Sequence, residues 1–368
     1  LGRKILISGN GRCNMMNTDP DLAHFHGGNP HFARHALGAF PVEETLAFFH
    51  DLGIETRVEN RGRVFPASNQ ASSVVRLLED RAIRAGIRIV DSADATELLQ
   101  EDNFRVRTTD GRTFHADRVI LTTGGISAPS IGGSDDGIRM ACALGHRRTS
   151  VFPGLGPLET ERSTLHKLQG VKANVVAEAL VDGKIVKTDE WEILFRFYGL
   201  SGPVIFNLSE AVAPFVDDGS VSVRISFFPG ISAEELDDNL RERWARHPHR
   251  TAAFSFTGLL PDKIPPVLLP LMDVPADRPV AEISARERRR IAEGLTAWEV
   301  WVLGSRPFAE VEVMVGGIVT DDVDPRTLES KIVPGLYLAG EMLDVHGDLG
   351  GYNFQWAWSS GWVAGQGQ

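Results

Sequence analysis

Three short stretches bring glycines together with charged side chains, a combination suited to a cofactor that carries phosphate and a flat ring. The first is Gly2-Arg3-Lys4-Ile5-Leu6-Ile7-Ser8-Gly9-Asn10-Gly11-Arg12-Cys13-Asn14. Glycines 9 and 11 leave backbone N–H groups open to an anion or a ring, because no Cβ stands in the way. Arg3, Lys4 and Arg12 supply the positive charge that a diphosphate requires. The second is Val119-Ile120-Leu121-Thr122-Thr123-Gly124-Gly125, an apolar strand opening into two glycines, where a strand end can approach a ligand closely. The third runs from Gly335-Leu336-Tyr337-Leu338-Ala339-Gly340-Glu341 through Asp344 to Gly350-Gly351-Tyr352-Asn353-Phe354-Gln355. A buried strand there ends at a carboxylate suited to sugar-like hydroxyls. A glycine pair then opens a helix whose positive end can face an anion or an electron-rich ring edge. Each stretch has a plainer reading: a glycine turn with solvated basic residues, a tight turn closing a sheet, an acidic cap on a core strand.

Other reactive residue types point to less. Cys13 and Cys142 form no CxxC pair, so dithiol chemistry is not indicated, and Cys13 reads as a small residue packed near a cofactor. His24, His26, His31 and His35 sit in a stretch rich in Gly, Asn and Pro, without a helix to align them on a metal. The basic run Arg286–Arg290 reads as a solvated helix face, and Trp298 and Trp301 read as core.

The elements that must position these residues follow from periodicity. Helices are expected over Val42–Leu52, with Leu46, Phe49 and Leu52 on one face, and over Asn69–Ala85, with Val74, Leu77, Leu78 and Ala82. Short strands are expected at Ile87–Val90, Ala95–Leu99, Phe104–Thr108 and Val119–Leu121, with Asp110-Gly111 as a hairpin turn. Beyond Phe152–Pro157 the runs Val175–Leu180, Ile185–Val186 and Val221–Phe228 read as strands. Ala233–Arg246 and Ala285–Leu295 carry helical spacing around the proline-rich stretch Pro261–Pro279. A last strand, Leu336–Ala339, precedes a helix over Tyr352–Ala364. The expected organisation is an α/β nucleotide-binding domain built from both chain ends, residues 1–150 and 315–368. Between them lie a β domain at 151–232 that resumes at 299–314, and a helical subdomain at 233–298.

The chain's 38 basic and 49 acidic residues give a net charge of −11. Net acidity, with no basic tract interleaved with aromatics in view, argues against nucleic acid as a partner. No apolar run approaches membrane-spanning length and no signal segment opens the chain, so the expectation is a soluble cytoplasmic enzyme with a small-molecule substrate.

Taken in order along the chain, these segments resemble the bacterial flavoprotein family that includes YhiN-type proteins, aminoacetone-oxidase-like flavoenzymes and BaiN-type bile-acid reductases. The pattern GRKILISGxGRCNxxN is matched at Gly2–Asn17, GRVFPxSxxA at Gly62–Ala71, and SGP at Ser201-Gly202-Pro203. The long glycine-rich C-terminal pattern is matched at Gly316–Gly361. The resemblance implies a glutathione-reductase-like FAD-binding domain lacking its first βαβ unit, with an inserted β domain and a small helical subdomain. Members open with a GxGxxG turn and this sequence starts just after it, so the expectation is either a truncated sequence, the favoured reading, or a loss of tight FAD binding. By resemblance, Arg3, Lys4, Ser8, Gly9, Gly11, Arg12, Cys13 and Asn14 form the first cofactor-lining loop. Ala95 offers backbone groups to the adenine, and Thr123, Gly124 and Gly125 form the second contact. Gly340, Glu341 and Asp344 lie near the ribityl chain, and Gly350, Gly351, Tyr352, Asn353 and Gln355 near the pyrimidine edge. One departure stands out: Phe197 replaces a histidine of the family's FTHxGxSGP, which leaves no catalytic base to name.

The activity implied is FAD-dependent oxidoreduction of a small molecule held between the flavin face and the inserted domain. NAD(P)H or oxygen would be the redox partner, since no second dinucleotide fingerprint selects one. Two alternatives are a non-catalytic flavin-binding or sensor protein and an RNA-modifying flavoprotein.

Overall fold

A computed structural model describes residues 1–366. The chain divides into two units, Leu1–Phe152 with Val311–Gln368, and Pro153–Glu310.

The first unit is a mixed α/β assembly, as expected. Strand Val119–Leu121 runs parallel to Leu336–Leu338, with Leu121 opposite Leu338, so two apolar runs far apart in sequence end side by side. Both are short; Leu336–Leu338 is buried throughout and Leu121 ends the other strand buried, the pattern of a parallel sheet covered on its faces. An antiparallel meander, Ala95–Gln100, Phe104–Thr108 and Thr113–Ala116, turns at Asp110-Gly111, where the Asp110 carboxylate accepts from Thr108 Oγ1 and from the Arg112 amide. A second small sheet joins Met16–Asn17, Arg63–Pro66 and Thr56–Val58. Helices Val42–Asp51 and Ala71–Arg84 form close to their expected places. The C-terminal helix, Tyr352–Gln366, packs onto the other end of the chain: Phe354 and Trp358 lie against a core of Cys13, Met15, Phe49, Val64 and Val74. Trp358 Nε1 donates to Met15 O at 2.9 Å.

One expectation fails here. Ile87–Val90 forms no strand, and among the described residues no strand pairs with it. The opening stretch forms helix Arg3–Gly11, whose backbone departs from helical geometry at Ser8, Gly9 and Asn10.

The second unit contains a closed six-stranded barrel in the order Leu158–Thr160, Gly199–Ser201, Lys184–Arg196, Lys172–Val181, Val221–Ser226, Trp298–Ser305. The strand spanning Lys184–Arg196 is far longer than the pair Ile185–Val186 suggested. Val175, Ala177, Ile193, Phe195, Val223 and Ile225 fill the core, joined by helix Pro203–Val212, which the sequence reading did not anticipate. Helices Ala233–Arg246 and Ala285–Thr296 pack on each other. Each starts with a reciprocal cap, Ser232 with Glu235 and Ser284 with Glu287, which satisfies end amides that would otherwise lack partners. Trp298 is half-buried against this core, but Trp301 is 59% exposed, since alternate residues of strand Trp298–Ser305 face outward.

Candidate functional site

The tips of the two parallel strands define the site. Past Leu121 the chain opens through Thr122-Thr123-Gly124-Gly125; past Leu338 it gives Ala339-Gly340-Glu341. Around these ends lies a cleft of about 450 Å³, bounded also by Leu1–Ile5, Asp94, Ser127 and Ile131–Gly133. Its electrostatic centre is Glu341. Lys4 Nζ donates to both carboxylate oxygens, at 3.1 and 2.9 Å, and to Ser127 Oγ at 2.6 Å. Ser127 Oγ and the Met314 amide donate to Glu341 Oε1 at 3.1 and 2.9 Å. Helix Arg3–Gly11 places Lys4 and Arg3 at the cleft, and Arg3 donates to Ile131 O. The floor is tight. A Cβ on Gly133 would stand 1.9 Å from Ser127 O, one on Gly137 1.9 Å from Thr123 Oγ1, and one on Gly125 3.0 Å from the Met314 side chain.

A second group of residues is assembled where the chain ends meet. Gly350 and Gly351 take φ of +141° and +105°, and a Cβ on Gly351 would lie 2.4 Å from the Met16 backbone. Only glycine lets the start of the C-terminal helix approach Met16 this closely. Asn17 bridges the contact, donating from Nδ2 to Gly350 O and to Arg61 O. Asn353 exchanges two hydrogen bonds with the Gly347 backbone, which fixes the first turn of that helix. Asn14 Oδ1, on the residue whose backbone lies next to Gly9, is buried without a hydrogen-bond partner, an acceptor left open. Tyr352 and Gln355 line a largely apolar cavity of about 300 Å³ with Leu22, Phe25, Leu37 and Val42. Gln355 Nε2 is tied to Phe40 O, Thr45 Oγ1 and Ser359 Oγ. The Tyr352 ring stacks on His24 at 4.4 Å, and His24 and His26 both bond to Asp348.

Burial and charge set the protonation states. Burial pushes the Cys13 thiol up to about 11, so it is not a thiolate at neutral pH and serves as packing. Burial, reinforced by Asp19 and Asp348, pushes the Tyr352 phenol well above its ordinary value. Burial also raises Asp344, which accepts from the Gly28 amide at 3.1 Å.

The structure therefore gathers Arg3, Lys4, Thr123, Gly124, Gly125 and Glu341 at one cleft. It packs Phe354 against the core that holds Cys13, and sets Asn14, with its buried Oδ1, close to Gly9. Ser8, Gly9 and Gly11 shape the turn between them: Ser8 Oγ donates to Ile5 O, and both glycines have positive φ. Gly340 also has positive φ, and its amide donates to Ser360 Oγ. Arg12 turns elsewhere, pairing with Glu59 at 2.9 Å and lying over the Phe65 ring. Ala95 sits in the meander opposite Thr108, next to the cleft residue Asp94. Ser127 and Asn17 went unsingled in the sequence. Their signals were faint, a serine two residues past a glycine pair and the last residue of the Gly2–Asn17 pattern.

The fold and the two linked sites define a Rossmann-type nucleotide-cofactor protein. Residues 1–367 match the family described as HI0933-like protein Rossmann domain, and the chain belongs to it. It is 35% identical over 368 residues, all of this chain and 90% of the relative, to 3-dehydro-bile acid delta(4,6)-reductase of Clostridium scindens. It is 30% identical over 365 residues, 99% of this chain and 88% of the relative, to ribosomal RNA dihydrouridine synthase of Escherichia coli. Among solved structures, E. coli quinol fumarate reductase FrdA aligns at a TM-score of 0.42 and 14% identity. That alignment covers 99% of this chain and 62% of that one, so the chain spans less than two thirds of its length. The protein is an FAD-dependent oxidoreductase. The residues present fit that cofactor. Lys4 suits its phosphates and Glu341 suits its hydroxyls, and a Cβ on Gly124 would stand 3.6 Å from the Glu341 carboxylate and one on Gly132 3.4 Å from the Arg3 guanidinium, so these bare glycines leave room at the cleft. The exclusion of nucleic acid on net charge does not stand, because a relative matched along nearly the whole chain is named for ribosomal RNA.

Proposed function

We propose that the protein is a reductase that saturates a carbon–carbon double bond conjugated to a carbonyl group in a small molecule. What carries the reading is 35% identity along the entire chain to a delta(4,6)-reductase. Bound FAD, once reduced with two electrons by a donor such as NADPH, would supply the hydride, and the chain would supply position and the balancing proton. Glu341, held by Lys4, Ser127 and the Met314 amide, anchors cofactor hydroxyls at the strand tip. The positive end of helix Tyr352–Gln366 would stabilise negative charge on a ring edge held there. Tyr352, kept protonated by burial, lines the apolar cavity and gives the proton to the second carbon of the double bond.

The test uses protein loaded with FAD and reduced by NADPH or dithionite without oxygen, then offered conjugated enones, a steroid 3-oxo-4-ene among them. The expected product has gained one molecule of H2 by mass spectrometry, and Tyr352→Phe lowers turnover by about a hundredfold without releasing flavin. Reoxidation of the flavin by every acceptor offered, with no saturated product from any enone, would remove this reading.

A second reading is favoured by the relatives named ribosomal RNA dihydrouridine synthase, from Escherichia coli and Haemophilus influenzae, each 30% identical. Forming dihydrouridine saturates a double bond conjugated to a carbonyl, so the same residues would act on a uridine in RNA.

A further inference from the structure

The formal charge of the whole chain hides a local reversal at the end of helix Ala233–Arg246. Residues 241–250, Arg-Glu-Arg-Trp-Ala-Arg-His-Pro-His-Arg, hold four arginines against one glutamate, a net +3 within a chain of net −11. Two of these arginines are paired on the helix, Arg241 with Asp238 and Arg246 with Glu242, the latter only at 3.5 Å. Arg243, His247, His249 and Arg250 have no carboxylate within ion-pair distance among the described residues. Arg243 instead donates to Ser255 O and Thr257 O, so its charge is positioned but not cancelled. His247 and His249 lie ring to ring at 6.3 Å, and Arg250 sits over Phe254, its guanidinium carbon 5.5 Å from the ring centre. Phe254 is 56% exposed, so its ring is open to a ligand. Some desolvation and the crowding of Arg250, His249, Arg243 and Arg246 hold His247 below its ordinary value, a sign that positive charge is concentrated here.

Two guanidiniums without a carboxylate partner among the described residues, Arg243 and Arg250, and the loosely paired Arg246 at 3.5 Å lie near two imidazoles and an exposed ring with a guanidinium over it, a grouping that suits a chain of phosphates carrying flat bases. The carbonyl end of the helix favours the cations in place without any bound anion. We infer that this face, Arg246 to Phe254, docks single-stranded RNA, with the arginines and histidines on phosphates and Phe254 under a base. The inference deepens the RNA reading above and depends on it for its use. Its chemistry is separate from that of the reducing site.

The experiment measures fluorescence anisotropy of a labelled oligouridine about 12 nucleotides long, titrated with the FAD-loaded full chain at several KCl concentrations. The wild type is expected to bind with an affinity that falls steeply as salt rises. The double variant Arg246→Gln/Arg250→Gln should lower the slope of log affinity against log salt by about two. Phe254→Ala should weaken binding about tenfold with the slope unchanged. Thermal melts of both variants matching the wild type would show that the fold persists. Wild-type binding that neither variant alters would overturn the docking face while leaving the RNA reading in place. Absence of wild-type binding at low salt would overturn both. Loss of binding to phosphatidylglycerol vesicles in the variants, with RNA binding unchanged, would mark the face as a membrane contact and also overturn the inference. Mass spectrometry of dihydrouridine in the same oligonucleotide tests the reducing site independently.

Discussion

The two units of this protein obey local rules to different degrees. In the barrel unit, apolar residues fill a continuous core, helix ends are capped reciprocally, and buried charge is paired, as in Arg288 on Asp237 at 2.9 Å. Both units set positive-φ glycines against neighbouring backbone, Gly199 on Leu158 O in the barrel and Gly351 on Met16 at the chain ends. In the unit holding the chain ends, however, charge gathers at an open cleft, where a lysine and a glutamate stand beside glycines that carry no side chain to close it. The contrast teaches where selection for stability yields to selection for a ligand: a protein tolerates half-exposed charge and bare glycines where something else will complete them.

Substitutions in each unit can break that comparison. The largest expected effect is in the barrel unit. Phe256→Ala, at a fully buried ring, should cost about 3–5 kcal/mol in urea unfolding while the protein that remains folded keeps its flavin, read as absorbance near the flavin band per folded chain. Flavin loss at undiminished stability would mean the contrast is drawn in the wrong place. Next comes Gly351→Ala, whose Cβ would collide with the Met16 backbone at a φ costly for alanine. It should destabilise the chain-end unit by about 3 kcal/mol and abolish reconstitution with FAD. Glu341→Gln sharpens the comparison. It removes the charge that holds Lys4 and should raise the apparent Kd for FAD about tenfold with little change in melting temperature. A variant that binds FAD as the parent does would move the anchor elsewhere.

The smallest effect concerns pH. Burial raises the Asp344 carboxyl, only partly offset by the Gly28 amide and His346. The folded state therefore holds that proton more tightly than the unfolded chain. The stability this adds is complete at low pH and is lost as pH rises through the folded value. Asp344→Asn should flatten that part of a melting-temperature profile, and an unchanged profile would assign it to other groups.

How much of this was readable beforehand varied with how local each signal is. Helix Ala233–Arg246 appears at its expected bounds, since its stripe and its Ser232 cap lie in adjacent residues. The strand into Thr123-Gly124-Gly125 and the turn at Asp110-Gly111 were legible for the same reason. Helix Pro203–Val212 was missed because it is apolar on nearly every side, which erases the periodicity; Pro203 at its start was the one usable sign. Ile87–Val90 misled in the opposite direction, since a strand-like run needs a partner that the sequence does not name. At the site, the glycine pairs could be read, but the bond from Lys4 to Glu341 joins residues 337 apart, and no local pattern encodes it. The basic face at Arg246–Phe254 was overlooked because a whole-chain charge averages away a short segment.

The state of Cys13 bears on how long such an enzyme lasts. Reduced flavins that meet oxygen release hydrogen peroxide, and a thiolate close by would advance through sulfenic to irreversible acids. With its proton retained up to about pH 11 and no accessible surface, this sulfur presents no nucleophile to the oxidant. The protein can keep a cysteine in its core without exposing it to the by-product of its own cofactor.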